Sequence, residues 1–118
     1  MLAGSATTLF HALCAGCDGA IVALAAIVPE SCVTLRTLVG AGRIDEARAL
    51  QRQLMPLARL VGAAHGVPGL KAALDLMGFA GGPPRPPLRA VAPQTIELLR
   101  AQLHALGVLA RQVHQLQN

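Results

Sequence analysis

Three sets of side chains in this sequence could do chemistry: a cysteine pair, one lysine, and a few dispersed histidines and acids. Cys14-Ala15-Gly16-Cys17 is a C-x-x-C, the spacing of dithiol redox centres and of half a zinc site. His11, three residues earlier, could join such a site. A zinc centre needs two further ligands at suitable spacing, and a redox pair needs a thioredoxin-like surround, so these thiols are read as buried groups at a helix end. His65, His104 and His114 have no partner acid at catalytic spacing. Asp45-Glu46 opens a helical stretch, where carboxylates favour the helix dipole. Lys71, the single lysine, stands on an otherwise apolar stretch and has the makings of a desolvated amine nucleophile. It also precedes Asp75 by four residues, the distance of a helical ion pair, or can snorkel to a helix end. No catalytic residue and no metal ligand is assigned on these patterns, and no cofactor is expected.

The elements that would position such groups follow from punctuation and periodicity. Met1–Gly4 reads as the end of a strand, and Ser5 as the cap of a helix to about Ala15 with Leu9, Phe10 and Leu13 buried. After a turn at Gly16–Gly19, Ala20–Ala25 is a continuous apolar run, as in a strand buried on both faces. Pro29-Glu30 starts a helix that ends at Gly40. This is the rhythm of parallel β/α units. From Arg43 to about Ala64 the spacing predicts a long helix burying Ala47, Leu50, Leu54, Leu57, Ala58 and Val61, with arginines opposite. A helix opened by Val67-Pro68 follows, with Leu70, Ala73, Leu74 and Met77 on one face and Gly78 as its stop. Gly81-Gly82-Pro83-Pro84-Arg85-Pro86-Pro87 then lacks four backbone donors and can only be a strap lying over something. Its glycine flanks and single arginine suit packing on a fold better than an SH3-type ligand. Pro93 starts the last clear helix, with Ile96, Leu99, Leu103 and Leu106 inward and Gly107 at its end; Val108–Asn118 reads as an exposed tail.

Two strands do not make a stable parallel sheet, because each leaves a row of unpaired backbone groups. The sequence therefore implies further strands, supplied by upstream residues or by another chain. Apolar residues make up 53% of the 118 residues and charged ones 14%, with Phe10 and Phe79 the only aromatics. That composition suits a piece whose apolar surface meets protein outside it. The formal charge of +4 comes from scattered arginines without a basic run or stacking rings, which argues against nucleic acid as a partner. Gly19–Val28 is half the length of a membrane span, and the uncharged first seventeen residues lack a basic n-region, so no membrane association is expected. Three cysteines without a disulfide pattern favour a reducing compartment, hence a cytoplasmic chain.

In order and residues, the sequence resembles the C-terminal part of the dihydrodipicolinate synthase / N-acetylneuraminate lyase family. The resemblance rests on Gly4-Ser5, on Gly16-Cys17-Asp18-Gly19-Ala20-Ile21, and on Pro29 followed by Ala41-Gly42-Arg43-Ile44-Asp45-Glu46-Ala47. Gln53-Leu54-Met55-Pro56-Leu57 and the Lys71 helix with Arg85-Pro86-Pro87-Leu88 complete it, covering nearly all of residues 1–108. Gly66-Val67-Pro68-Gly69-Leu70-Lys71 and Gly78-Phe79-Ala80-Gly81-Gly82 most resemble the 4-hydroxy-2-oxoglutarate aldolase-like branch. The resemblance implies an α/β fold: the last two β/α units of a (β/α)8 TIM barrel over residues 1–41, then three C-terminal helices over 42–108 and a tail over 109–118. As an isolated chain it would be mostly helical.

Such family members handle pyruvate or another 2-oxo acid through a lysine Schiff base, with a tyrosine relaying protons, and the parent enzyme would be a homo-oligomer. The family's lysine, tyrosine and carboxylate-holding loop all lie on earlier strands than those matched here. This sequence has no tyrosine, and Lys71 matches a tail-helix position. The chain by itself is therefore expected to be inactive, as a fragment of the parent or as a non-catalytic helical interaction module. Two substrate-contact positions fall inside it by resemblance: Gly4, which lets backbone approach the ligand, and Ile21, which offers a backbone carbonyl to the pyruvate-derived part. Without the resemblance these would read as a turn glycine and a core isoleucine. Ala26 stands where the family often has Asn, removing a polar group near the barrel mouth.

Overall fold

Leu2–Ala3 forms β1 and Gly19–Ala20 forms β2, paired in parallel with Leu2 opposite Gly19 and Ala3 opposite Ala20. The computed structural model describes residues 1–109; the expected tail over 109–118 lies, beyond its first residue, outside them. The chain divides into two units, Met1–Arg59 and Leu60–Asn118.

In the first unit the connection from β1 to β2 runs through a 3-10 turn (Ala6–Thr8) and helix α1 (Leu9–Cys14). Leu9, Phe10 and Leu13 are buried, as their spacing predicts, and form one core with Leu35 and Ala47. The expected Ser5 cap is absent: the Ser5 hydroxyl lies 2.9 Å from the Thr7 hydroxyl and caps nothing. Gln51 does that work instead. Its Oε1 accepts from the Phe10 N–H at 3.0 Å, and its Nε2 donates to the Ala6 and Thr7 carbonyls at 3.1 and 3.3 Å. A short helix with no capping side chain of its own is thus satisfied by an amide reaching from another helix.

The expected strand over Ala20–Ala25 is not formed beyond its first residue. Ala23–Ala26 is a 3-10 turn, and Leu24, Ile27 and Val28 are buried. Those three stand at helical, not alternating, spacing, and an alanine-rich run bonds within itself where only one neighbouring strand is present to pair with it. Helix α2 (Pro29–Gly40) begins and ends where proline and glycine predict, with Leu35 fully buried. Helix α3 (Ile44–Arg59) buries Ala47, Gln51, Leu54, Leu57 and Ala58.

The long helix expected to run to Ala64 changes character at Leu60, where the second unit begins with a π-helical turn over Leu60–Ala64. Helix α4 (Gly66–Leu76) follows directly. A Cβ on Gly69 would stand 2.6 Å from the Leu60 carbonyl oxygen, so glycine there lets α4 approach the wide turn. Gly78, at φ +87°, ends α4 as predicted. Helix α5 (Pro93–Ala105) packs beside α4 and buries Thr95, Leu99 and Leu103, while Ile96 and Leu106 are half-buried. No described helix is long and apolar enough to cross a membrane.

Candidate functional site

Gly4 and Ile21 each lie one residue past the paired strand residues, Gly4 after Ala3 and Ile21 after Ala20. The parallel register therefore sets them side by side at the strands' C-terminal ends. The Ile21 N–H donates to the Ala3 carbonyl at 2.9 Å, extending the ladder by one bond. A Cβ built on Gly4 meets nothing within 4 Å. The isoleucine is not the core residue that its type suggests, because its side chain is 75% exposed. Leu2 of β1 is likewise exposed, and among the described residues each strand has a single neighbour, so neither outer edge of the sheet is paired by another described strand. Ala26 closes the 3-10 turn and is exposed.

Lys71 is engaged elsewhere. Neither the expected partnership with Asp75 nor snorkelling describes it: its Nζ donates to the Gly81 carbonyl at 2.9 Å. Asp75 Oδ1 accepts from the N–H groups of Gly81 and Gly82 at 2.8 and 3.3 Å. Both charges thus grip the backbone at the start of the proline strap. Beside them runs a groove of about 440 Å³ between α4, the strap and α5, lined mainly by apolar side chains with Lys71 and Asp75 at one wall. This pairing of two side chains with one glycine was hidden in the sequence, where i and i+4 charges point first to each other.

The other reactive types stay apart. Cys14 is exposed at the end of α1, not buried, while Cys17 and Cys32 are half-buried, and all three thiols are free. Burial pushes the Cys32 thiol above its ordinary value of 9.0, which keeps it protonated and a poor nucleophile at neutral pH. Among the described residues no three His, Cys, Asp or Glu side chains come together to hold a metal ion. Asp45 and Glu46 sit in the first turn of α3, where Arg48 and Arg43 pair with them at 3.1 and 2.6 Å. The site therefore consists of a pair of strand ends carrying backbone groups, followed by the Ser5 and Thr7 hydroxyls, which lie 2.9 Å apart.

Comparison with known proteins gives this geometry a family. The model of the dihydrodipicolinate synthetase family matches residues 1–106. The 4-hydroxy-tetrahydrodipicolinate synthase of Methanopyrus kandleri is 36% identical over 109 residues, covering 92% of this chain and 36% of the relative. That of Thermotoga petrophila is 36% identical over 106 residues, covering 90% and 36%. Among crystal structures, dihydrodipicolinate synthase from Thermotoga maritima superposes with a TM-score of 0.82 at 36% identity, covering 90% of this chain and 36% of that one. The chloride-inhibited enzyme from Acinetobacter baumannii complexed with pyruvate gives a TM-score of 0.81 at 26% identity, covering 91% and 37%. The chain thus spans about a third of the length of the curated relatives that it matches. On the family match and on these likenesses, the chain belongs to the dihydrodipicolinate synthetase family.

Proposed function

We propose that this chain supplies the last two β/α units and the C-terminal helices of a (β/α)8 barrel in a pyruvate-dependent lyase or aldolase. The observation that carries this reading is the placement of Gly4 and Ile21 together at the C-terminal ends of adjacent parallel strands, where barrel enzymes hold substrate. Outer edges that no described strand pairs leave room for further strands to complete the sheet. Pyruvate as the bound 2-oxo acid is supported by the pyruvate complex of the Acinetobacter baumannii relative.

In this reading a lysine from the rest of the barrel attacks the keto carbon of pyruvate and expels water, leaving a protonated imine. The imine takes up the electron pair when a C3–H bond, or the C–C bond being cleaved, is broken. Gly4 lets the substrate lie against backbone, and the Ile21 carbonyl accepts a hydrogen bond from the pyruvate-derived part. The partner substrate is that of a 4-hydroxy-tetrahydrodipicolinate synthase, as in the curated relatives, or of the 4-hydroxy-2-oxoglutarate aldolase-like branch that the α4 and strap residues resemble. The 118 residues alone are catalytically silent, since they hold no tyrosine and their one lysine is bound to Gly81.

The test is pyruvate followed by borohydride, applied to the chain alone and to the chain combined with a segment supplying the remaining barrel strands. A stoichiometric adduct is expected on a lysine of the added segment, and none on Lys71. An adduct on Lys71, or a completed barrel that takes up no pyruvate, overturns the reading. A non-catalytic helical interaction module is the second reading, favoured by exposed Val67, Phe79, Leu88 and Leu98 in the second unit. It predicts that the completed mixture forms no adduct at all.

A further inference from the structure

The strap between Gly81 and Pro93 has little of its own to hold it down. Its four prolines bring no N–H, and residues 85–90 are exposed. Its one internal backbone bond is local, from the Leu88 N–H to the Arg85 carbonyl at 3.0 Å. Among the described residues, the hydrogen bonds tying the segment to α4 are those from Lys71 to the Gly81 carbonyl and from the Gly81 and Gly82 N–H groups to Asp75. The seat is shaped for glycine: a Cβ on Gly81 would lie 2.2 Å from the Lys71 carbonyl oxygen and 3.0 Å from Asp75 Oδ1. Gly78 and Gly82, at φ +87° and +75°, stand on either side of the contact and give the chain its bends. Pro83, Pro84 and Val91 of the strap line the groove together with Ala72 and Leu76 of α4 and Ile96 of α5.

We propose that Lys71 and Asp75 form a two-point latch that holds the proline strap closed as a lid over this apolar groove. Both halves of the latch are charged groups bonded to backbone, so the closure depends on electrostatics at the groove wall and not on burial of the strap. Releasing either half frees the strap from Gly81 onward and widens the access of solvent to Ala72, Leu76 and Ile96, which line the groove. The packing of Ala73, Leu99 and Leu103, fully buried in the same unit, does not involve the latch atoms and stays in place.

The experiment compares the full 118-residue chain with its Asp75→Ala, Lys71→Met and Lys71→Arg variants, by amide hydrogen exchange, tryptic cleavage after Arg89, and fluorescence of anilinonaphthalene sulfonate. Asp75→Ala is expected to speed exchange at Gly81 and Gly82 about tenfold or more, the factor that loss of a charge-assisted hydrogen bond implies. Exchange at Leu99 and Leu103 stays as in the parent. Cleavage after Arg89 and dye binding both rise, Lys71→Met shifts all three readouts the same way, and Lys71→Arg, which keeps a donor, stays near the parent. Unchanged exchange at Gly81 and Gly82 overturns the latch. Equal acceleration at Leu99 and Leu103 overturns it too, because the strap would then open only with the whole unit. Unchanged dye binding in a variant with fast Gly81 exchange overturns the lid.

Discussion

Gln51 is 3% exposed and uses both ends of its amide, accepting from Phe10 and donating to Ala6 and Thr7. Its replacement by leucine keeps the volume and removes all three bonds, leaving a buried N–H without a partner. We expect a loss of about 1–3 kcal/mol in unfolding free energy, read from denaturant titration. Glutamate should be worse at neutral pH than in acid, since a carboxylate can accept from Phe10 but faces two carbonyl oxygens without a proton to give. The sequence carried a trace of this role: residues 47, 51, 54 and 58 share one helical face, and Gln51 is the polar member of it. What could not be read was its partner, forty-one residues away in sequence. Lys71 is the complementary case, a residue whose place on a helix after Val67-Pro68 was legible while its contact with the Gly81 carbonyl was not.

At the scale of elements, glycine and proline marked the boundaries reliably. α2 begins at Pro29, α5 at Pro93, and Gly78 and Gly107 follow helix ends with φ of +87° and +76°. These are local steric effects, fixed by the residue itself. The π-helical turn over Leu60–Ala64 and the 3-10 turn over Ala23–Ala26 escaped the periodicity, because backbone hydrogen-bond register is a matter of what packs against it. Gly69 shows the dependence most clearly. Alanine would raise helix propensity at that position, yet its Cβ would stand 2.6 Å from the Leu60 carbonyl and 2.9 Å from His65 Cβ. We therefore expect Gly69→Ala to destabilise the second unit by about 1–3 kcal/mol, measured by thermal unfolding, where propensity alone predicts a gain.

For the whole molecule, the open strand ends are the feature on which family and function meet. Ile21 is exposed, so Ile21→Lys should change the unfolding free energy of the 118-residue chain by less than about 0.5 kcal/mol and reduce its light scattering. If the proposed function holds, the same substitution in a completed barrel puts a positive charge at the substrate-contact position and should abolish the borohydride-trapped pyruvate adduct. A large stability loss in the chain alone would show Ile21 to be a core residue after all.

The sequence by itself determined the family, the parallel β/α order, most helix boundaries and the absence of any tyrosine from these 118 residues, because motifs, proline, glycine and apolar spacing are written in local residue order. Only the tertiary structure decided that β2 is two residues long, that Ile21 faces outward, that Gln51 caps α1, and that Lys71 and Asp75 grip Gly81. Each of these depends on which backbone groups are left unpaired once the elements meet, and a single segment does not contain that information.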